Sequence, residues 1–375
     1  MSDFPKILLI TPHLGGGGAE RVIELLTCHL PAEKYDVELA LVTRSAIPEP
    51  SLPESVVIHR IDVKRVRLAA AALVKLVRDV QPDVILSSMF HLNFLVLALR
   101  PLFPRKVKIL VRQNGSASAM LSGLSLPFLT KVLYRTLYPA ADRVLCQSSA
   151  MADDLCRNFG VQASRLTVLP NPVDIETVRT VAASSRSEWT GLGPHLLSIA
   201  RIRPEKGIDL LLQAFFEFKK HLPMADLTIV GDGPLRSQTA ELAGALGLMD
   251  CVRFAGSVFD PARFFKGASL FVLPSRHEGM PNALLEAAAA GLPIVSTPAS
   301  AGLTDLLRGN EGCWVTDETN ASSLSQTMVA AIHTLQPGQR FLHEWVEQFS
   351  LDKAIAAYQS VIDDALGNDL ARRQA

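Results

Sequence analysis

Cysteine is scarce and scattered: the chain has five, Cys28, Cys146, Cys156, Cys251 and Cys313, and none stands in a C-x-x-C pair. An odd set without short spacings argues against a disulfide framework or a cysteine zinc site and fits the reduced thiols of a cytosolic protein. The nine histidines include no H-E-x-x-H or comparable ligand spacing, so no metal site is expected. Net charge is missing as well, with 37 Lys and Arg against 37 Asp and Glu, which removes the electrostatic case for nucleic-acid binding. No run approaches the roughly eighteen uninterrupted apolar residues of a membrane span. The opening MSDFPKILLITP lacks the charged region, long apolar core and cleavage site of an export signal, and a cytoplasmic location is expected.

What is present points to two ordinary globular domains: 375 residues, 48% hydrophobic and 20% charged. Charge is uneven along the chain. Residues 1–190 carry 22 basic against 17 acidic groups, and within 60–143 the count is 14 against 4, which suits an anionic surface or substrate on one side only. Short apolar runs alternate with amphipathic stretches, the pattern of parallel strands joined by crossover helices. One series comprises KILLIT (from Lys6), VELALV, VVIH, DVILSS, VKILV and RVLCQS, and a second comprises HLLSIA (from His195), DLTIVG, VRFAG, LFVLPS and PIVST. The polar stretch 179–194 reads as the linker. The expected fold is α/β, two facing doubly wound Rossmann-like domains. The first spans 1–178 and is joined by a helix returning within 350–375, and the second spans 195–349. Ligands of such sheets bind beyond the C-terminal ends of the strands.

Three constellations lie at strand ends. Glu278 and Glu286 stand eight positions apart in SRHEGMPNALLEAAAAGLP, across the junction of the LFVLPS strand and an Ala/Leu-rich helix. Pro281 suits a first helical position and Gly291 the stop. Helical side chains lean toward the N-terminus, so Glu286 aims back toward Glu278 and the amides of the first turn, an arrangement for binding the hydroxyls of a sugar or ribose. Arg201 and Lys206, five apart after HLLSIA with Gly207 admitting a helix, suit a diphosphate: Arg binds bidentately and Lys acts as a compact point charge. Four glycines, Gly15 to Gly18, follow the first strand and open a helix, where backbone N–H groups can approach a phosphate or sugar, a tight turn being the competing reading. Asp232 in IVGDGP reads as a turn or cap residue sooner than as half of a metal motif.

Together these segments resemble the retaining glycosyltransferases of family 4, whose two nucleotide-binding-type domains form the GT-B arrangement. The matching stretches are GGAERV, ADRVLCQSSAM, VLPNPVD, the R-x-x-P-E-K-G segment from Arg201, VGDGP, FAGSV and E-G-M-P-N-A-L-L-E, spread from about residue 15 to 297. FSLDKAIAAYQ resembles that family's returning helix. The resemblance implies that Glu278 contacts the donor sugar near its anomeric carbon, that Glu286 holds the ribose, and that Arg201 and Lys206 neutralise the departing diphosphate in place of a metal. It also implies that Gly279, Met280 and Pro281 wall the sugar and phosphate, that the backbone at Gly256, Ser257 and Val258 frames the base, and that Gly16 and Gly17 close over the diphosphate. Retention would proceed by attack from the leaving-group face, without the carboxylate nucleophile of a two-carboxylate hydrolase.

One departure stands out. Many members carry a histidine after a first-domain strand where this chain reads VRQNG, so Arg112 and Asn114, together with His13 and His91, are the candidate acceptor or sugar contacts. Basic amphipathic stretches, among them LSGLSLPFLTKVLYRTLYP, suit docking on anionic lipid headgroups at the inner face of the cell membrane. The expected activity is metal-independent transfer of a sugar, with UDP the favoured nucleotide, to a lipid-linked or polysaccharide acceptor in cell-envelope polysaccharide building, with no cofactor. A nucleotide-sugar epimerase of similar fold and a noncatalytic sugar-nucleotide-binding subunit are the rivals.

Overall fold

The computed structural model describes residues 4–367 apart from 16, 45–49, 122–125 and 259. The chain divides into two compact units, Met1–Pro172 with Leu351–Ala375, and Val173–Ser350.

The first unit is built on a seven-stranded parallel sheet: β1 Lys6–Thr11, β2 Asp36–Thr43, β3 Val57–Val63, β4 Val84–Ser88, β5 Lys108–Gln113, β6 Arg143–Cys146 and β7 Leu166–Val168, in the spatial order β3-β2-β1-β4-β5-β6-β7. The second unit has six parallel strands: β8 His195–Ile199, β9 Asp226–Val230, β10 Val252–Gly256, β11 Leu270–Leu273, β12 Ile294–Ser296 and β13 Cys313–Val315, ordered β10-β9-β8-β11-β12-β13. Strand order therefore reverses between β1 and β4 in one sheet and between β8 and β11 in the other.

The continuous apolar runs follow from burial on both faces. In β1, Leu8 and Ile10 enter one core while Ile7 and Leu9 enter the core on the opposite face. Strand β11 divides in the same way, Phe271 and Leu273 to one side and Leu270 and Val272 to the other. The returning helix Leu351–Leu366 packs Ile355, Tyr358 and Ile362 into the first unit, beside the helix Gly18–His29. The tail from residue 368 lies outside the described residues.

Two readings need correction. The units part at Pro172 and Val173 and not near residue 178, because Ile175–Ser184, half of it assigned above to the linker, is a helix whose Ile175 and Val178 are buried in the core of the second unit. The edge strands β7 and β13 escaped notice because each has three residues and is only partly buried, too short to show an apolar run. All five cysteines are free thiols.

Candidate active site

The reversal between β8 and β11 opens a crevice at the C-terminal edge of the second sheet, the position where doubly wound sheets take ligands. The loop after β8 carries Arg201 and Lys206, and the loop after β11 carries Glu278. Both loops are set by close backbone contact. Gly207 has φ +63°, and a Cβ there would fall 2.0 Å from the Pro274 carbonyl oxygen, so only glycine lets the turn Pro204–Lys206 lie against the end of β11. Gly231, at φ +136°, is equally close to the Ala200 carbonyl oxygen. Asp232 serves this packing: its carbonyl accepts from the Ile202 N–H at 2.9 Å and its carboxylate from the Gly233 N–H at 2.7 Å.

Glu278 and Lys206 meet directly. The ammonium donates to both carboxylate oxygens, at 2.7 and 2.8 Å, and the Ser275 hydroxyl donates to Oε1 at 2.6 Å. The Glu278 side chain is 6% exposed and that of Lys206 25%. A carboxylate has about four acceptor positions, so three are occupied and one remains for a hydroxyl. The Glu278 N–H donates to the Ala299 carbonyl at 3.2 Å, tying its loop to the segment after β12. Arg201, by contrast, is exposed and has no ion-pair partner among the described residues.

A second tie went unread in the sequence. Arg276 donates to Asp209 at 2.8 and 2.7 Å and to the Pro204 carbonyl at 2.8 Å, while its N–H reaches the Glu205 carbonyl at 2.8 Å. The guanidinium holds the Asp209 carboxyl below the usual range, and the carboxylate raises the Arg276 pKa in return. The loop bearing Glu278 is thus fastened to the turn bearing Lys206. Residues 67 apart give no local pattern, so nothing in the sequence advertised the pair; Ser275, two residues after β11 and three before Glu278, did have a readable position.

The helix expected near Pro281 runs Asn282–Ala289, with Pro281 in extended backbone at its N-cap (φ −77°, ψ 120°) and not in its first turn. Its missing N–H costs nothing there, and its carbonyl accepts from Leu284 and Leu285 at 3.1 and 3.3 Å. Glu286 lies in the second turn and is half-buried. Val258 and Met280 pack against the same core, with Gly279 partly buried between Glu278 and Met280. Gly256 ends β10 at φ +73° and accepts from the Gly231 N–H at 2.7 Å, and Ser257 beside it is exposed. The segments expected to take base, diphosphate and sugar thus stand along one sheet edge in the order β10, β8, β11.

In the first unit, Gly17 is the N-cap of the helix Gly18–His29, while Gly16 falls outside the described residues. His13 follows β1 and His91 follows β4. Arg112, at the end of β5, is 1% exposed; its guanidinium donates to Tyr358 at 3.0 Å and to the side-chain oxygens of Asn114 and Asn171. Asn114 in turn donates to Ser88 at 3.0 Å. All three partners of Arg112 are neutral, so this cation is held by hydrogen bonds to amides and a phenol and is turned to the interior while it orients Asn114.

Residues 16–177 match the family model described as Glycosyltransferase Family 4, and residues 193–334 match that of Glycosyl transferases group 1. An N-acetylgalactosamine-N,N'-diacetylbacillosaminyl-diphospho-undecaprenol 4-alpha-N-acetylgalactosaminyltransferase of Campylobacter jejuni is 27% identical over 86% of this chain and 88% of its own length. Among solved structures, sucrose-phosphate synthase from Thermosynechococcus elongatus covers 96% of this chain and 98% of its own at a TM-score of 0.79 and 16% identity. Anabaena HepE in complex with UDP and glucose covers 96% and 100% at 0.76 and 16%. Two Rossmann-like domains of GT-B type, matched along both halves by glycosyltransferase models, place this chain in the family 4 glycosyltransferases.

Proposed function

We propose that this glycosyltransferase moves a sugar from a UDP-sugar to a lipid-linked or polysaccharide acceptor, with retention of configuration and without a metal. The observation that carries the reading is the cluster at the β8–β11 crevice: Glu278 held by Lys206 and Ser275, with Arg201 exposed on the loop that bears Lys206. Glycosyl transfer develops positive charge on the sugar and negative charge on the departing diphosphate. A carboxylate at the first and two cations, Lys206 held by Glu278 and Arg201 exposed, at the second favour the transition state over the ground state. The Campylobacter relative is named for an α-linked product on a diphospho-undecaprenol acceptor, and the Anabaena structure holds UDP and glucose; both support the donor and acceptor classes assigned here. Incubation with a panel of labelled UDP- and GDP-sugars should yield transfer that survives EDTA. Complete loss restored by manganese would overturn metal independence, and release of an isomerised sugar without acceptor would favour an epimerase.

The acceptor class implies work at a membrane surface. No helix among the described residues is long and apolar enough to cross a bilayer. The helix Pro127–Leu137 presents Phe128 at 81% exposure and Leu129 at 51%, with Leu126 preceding it at 63%, and carries Lys131 and Arg135. Apolar side chains flanked by cations are the composition that binds anionic headgroups. The protein should therefore sediment with phosphatidylglycerol-containing vesicles, and Phe128→Ser with Leu129→Ser should abolish this. Equal binding to purely phosphatidylcholine vesicles, or none to either, would refute the surface.

A further inference from the structure

The reversal of strand order between β1 and β4 creates a second crevice, within the first unit, and its walls carry a group of titratable side chains that the diphosphate and donor-sugar chemistry does not use. His13 follows β1, Glu20 lies in the first turn of the helix Gly18–His29, and His91 stands at the start of the helix Phe90–Leu99 after β4. We infer that His13 and Glu20 form a dyad that binds and orients the acceptor hydroxyl, Glu20 positioning His13 and His91 forming the opposite wall; the inference rests on the transferase reading above.

Glu20 is 2% exposed. An acidic residue in a first helical turn complements the helix dipole equally well in water, so burial of this carboxylate calls for a partner. Its Oε1 stands 3.9 Å from His13 Nδ1, beyond hydrogen-bond distance, and neither atom has any other hydrogen-bond partner among the described residues. A buried polar atom left unpaired costs about 1 to 3 kcal/mol. Two complementary ones facing each other make a contact that a small rotation of the imidazole closes. Once closed, Nδ1 keeps its proton for Glu20 and Nε2 presents a lone pair, because the bond made by one ring nitrogen sets the tautomer of the other. A lone pair at the mouth of a switch-point crevice accepts from a hydroxyl.

The opposite wall is built with the same care. Met89, the N-cap of the His91 helix, holds φ +78° without being glycine, a strained conformation of the kind that persists where the surroundings over-determine it. The surroundings here include Asn93, fully buried, which accepts from the Ser87 hydroxyl at 2.8 Å and donates to the Arg112 carbonyl at 2.9 Å. His91 keeps an open face to solvent. Its pKa lies below the ordinary histidine value, through partial desolvation first and the His13 ring second; the adjacency of β1 and β4 is what brings the two histidine-bearing loops to one sheet edge.

The test has two arms on the full chain. Long-range 1H–15N spectra of the imidazoles near neutral pH should report the Nδ1–H tautomer for His13 in the parent and a shift toward Nε2–H in Glu20→Leu, which offers no acceptor. An unchanged His13 tautomer in that variant would overturn the dyad whether or not any sugar is transferred. In assays with a short-chain polyprenyl diphosphate bearing N-acetylgalactosamine as acceptor, His13→Gln and Glu20→Gln should raise the acceptor KM tenfold or more, while UDP affinity by calorimetry stays within twofold and Glu20→Asp recovers part of the loss. Parallel losses of UDP affinity and acceptor KM, or an unmoved acceptor KM, would refute the role in acceptor binding. A parent protein inactive with every donor and acceptor would instead count against the transferase reading, with the tautomer arm still deciding the dyad.

Discussion

Replacement of Glu278 by Ala is expected to leave nucleoside diphosphate affinity intact or slightly improved while turnover with the full donor falls about 10- to 150-fold, the worth of a charged hydrogen bond of roughly 1.5 to 3 kcal/mol made at the reacting sugar. The sign on binding follows from the contact with Lys206. In the parent, the ammonium is shared with a carboxylate at 2.7 and 2.8 Å, and a diphosphate must compete for it. Without Glu278 that competition disappears. Glu286→Ala should behave oppositely: assigned to the ribose, it should weaken the nucleoside diphosphate by about 1 to 3 kcal/mol, or roughly 5- to 150-fold in Kd. Calorimetry with UDP and steady-state kinetics with the UDP-sugar separate the two. Abolition of UDP binding by Glu278→Ala, or parent-level transfer by the double variant, would refute the assignment.

Lys206→Ala and Arg201→Ala should both weaken a nucleoside diphosphate more than the corresponding nucleoside, yet only the first should destabilise the fold. Loss of Lys206 leaves the Glu278 carboxylate, 6% exposed, with the Ser275 hydroxyl as its remaining donor. Breaking a buried pair costs about 3 to 5 kcal/mol. With Lys206 itself a quarter exposed, solvent screening brings the expected cost below that range, to about 2 to 3 kcal/mol. Arg201 is exposed, so its removal should change stability by no more than about 0.5 kcal/mol. Denaturant midpoints read the stability difference, and calorimetry with UDP against uridine reads the affinities. Equal losses for UDP and uridine in both variants would sink the diphosphate role, and an unchanged midpoint for Lys206→Ala would mean that Glu278 finds another partner.

Eleven of the strands were legible as short apolar runs, clearest where the strand is buried on both faces, as in β1, β4 and β11. The two that were not, β7 and β13, are short edges whose pairing needs a neighbouring strand more than a sequence signal. The boundary at Pro172 was displaced in the reading for a related reason. Polarity marks where a linker is exposed, but Ile175 and Val178 choose which core to enter only when both cores exist.

At the sites, local pattern determined what lies within one loop or helix: Arg201 and Lys206 five apart, Glu278 and Glu286 across a helix start, glycines where backbones touch. Chemistry of residue type and short spacing is written in the chain itself, since it depends on neighbours in sequence. Tertiary structure alone decided which charges are already spent. Lys206 is bound to Glu278 across 72 positions, Arg276 to Asp209 across 67, and Arg112 to Tyr358 across 246. It also brought Glu20, in the sequence an ordinary first-turn carboxylate, to within 3.9 Å of His13 and buried it there. Distance in the chain carries no information about such pairs; they arise when parallel strands, joined by crossover helices, bring the ends of β8 and β11, and of β1 and β4, side by side.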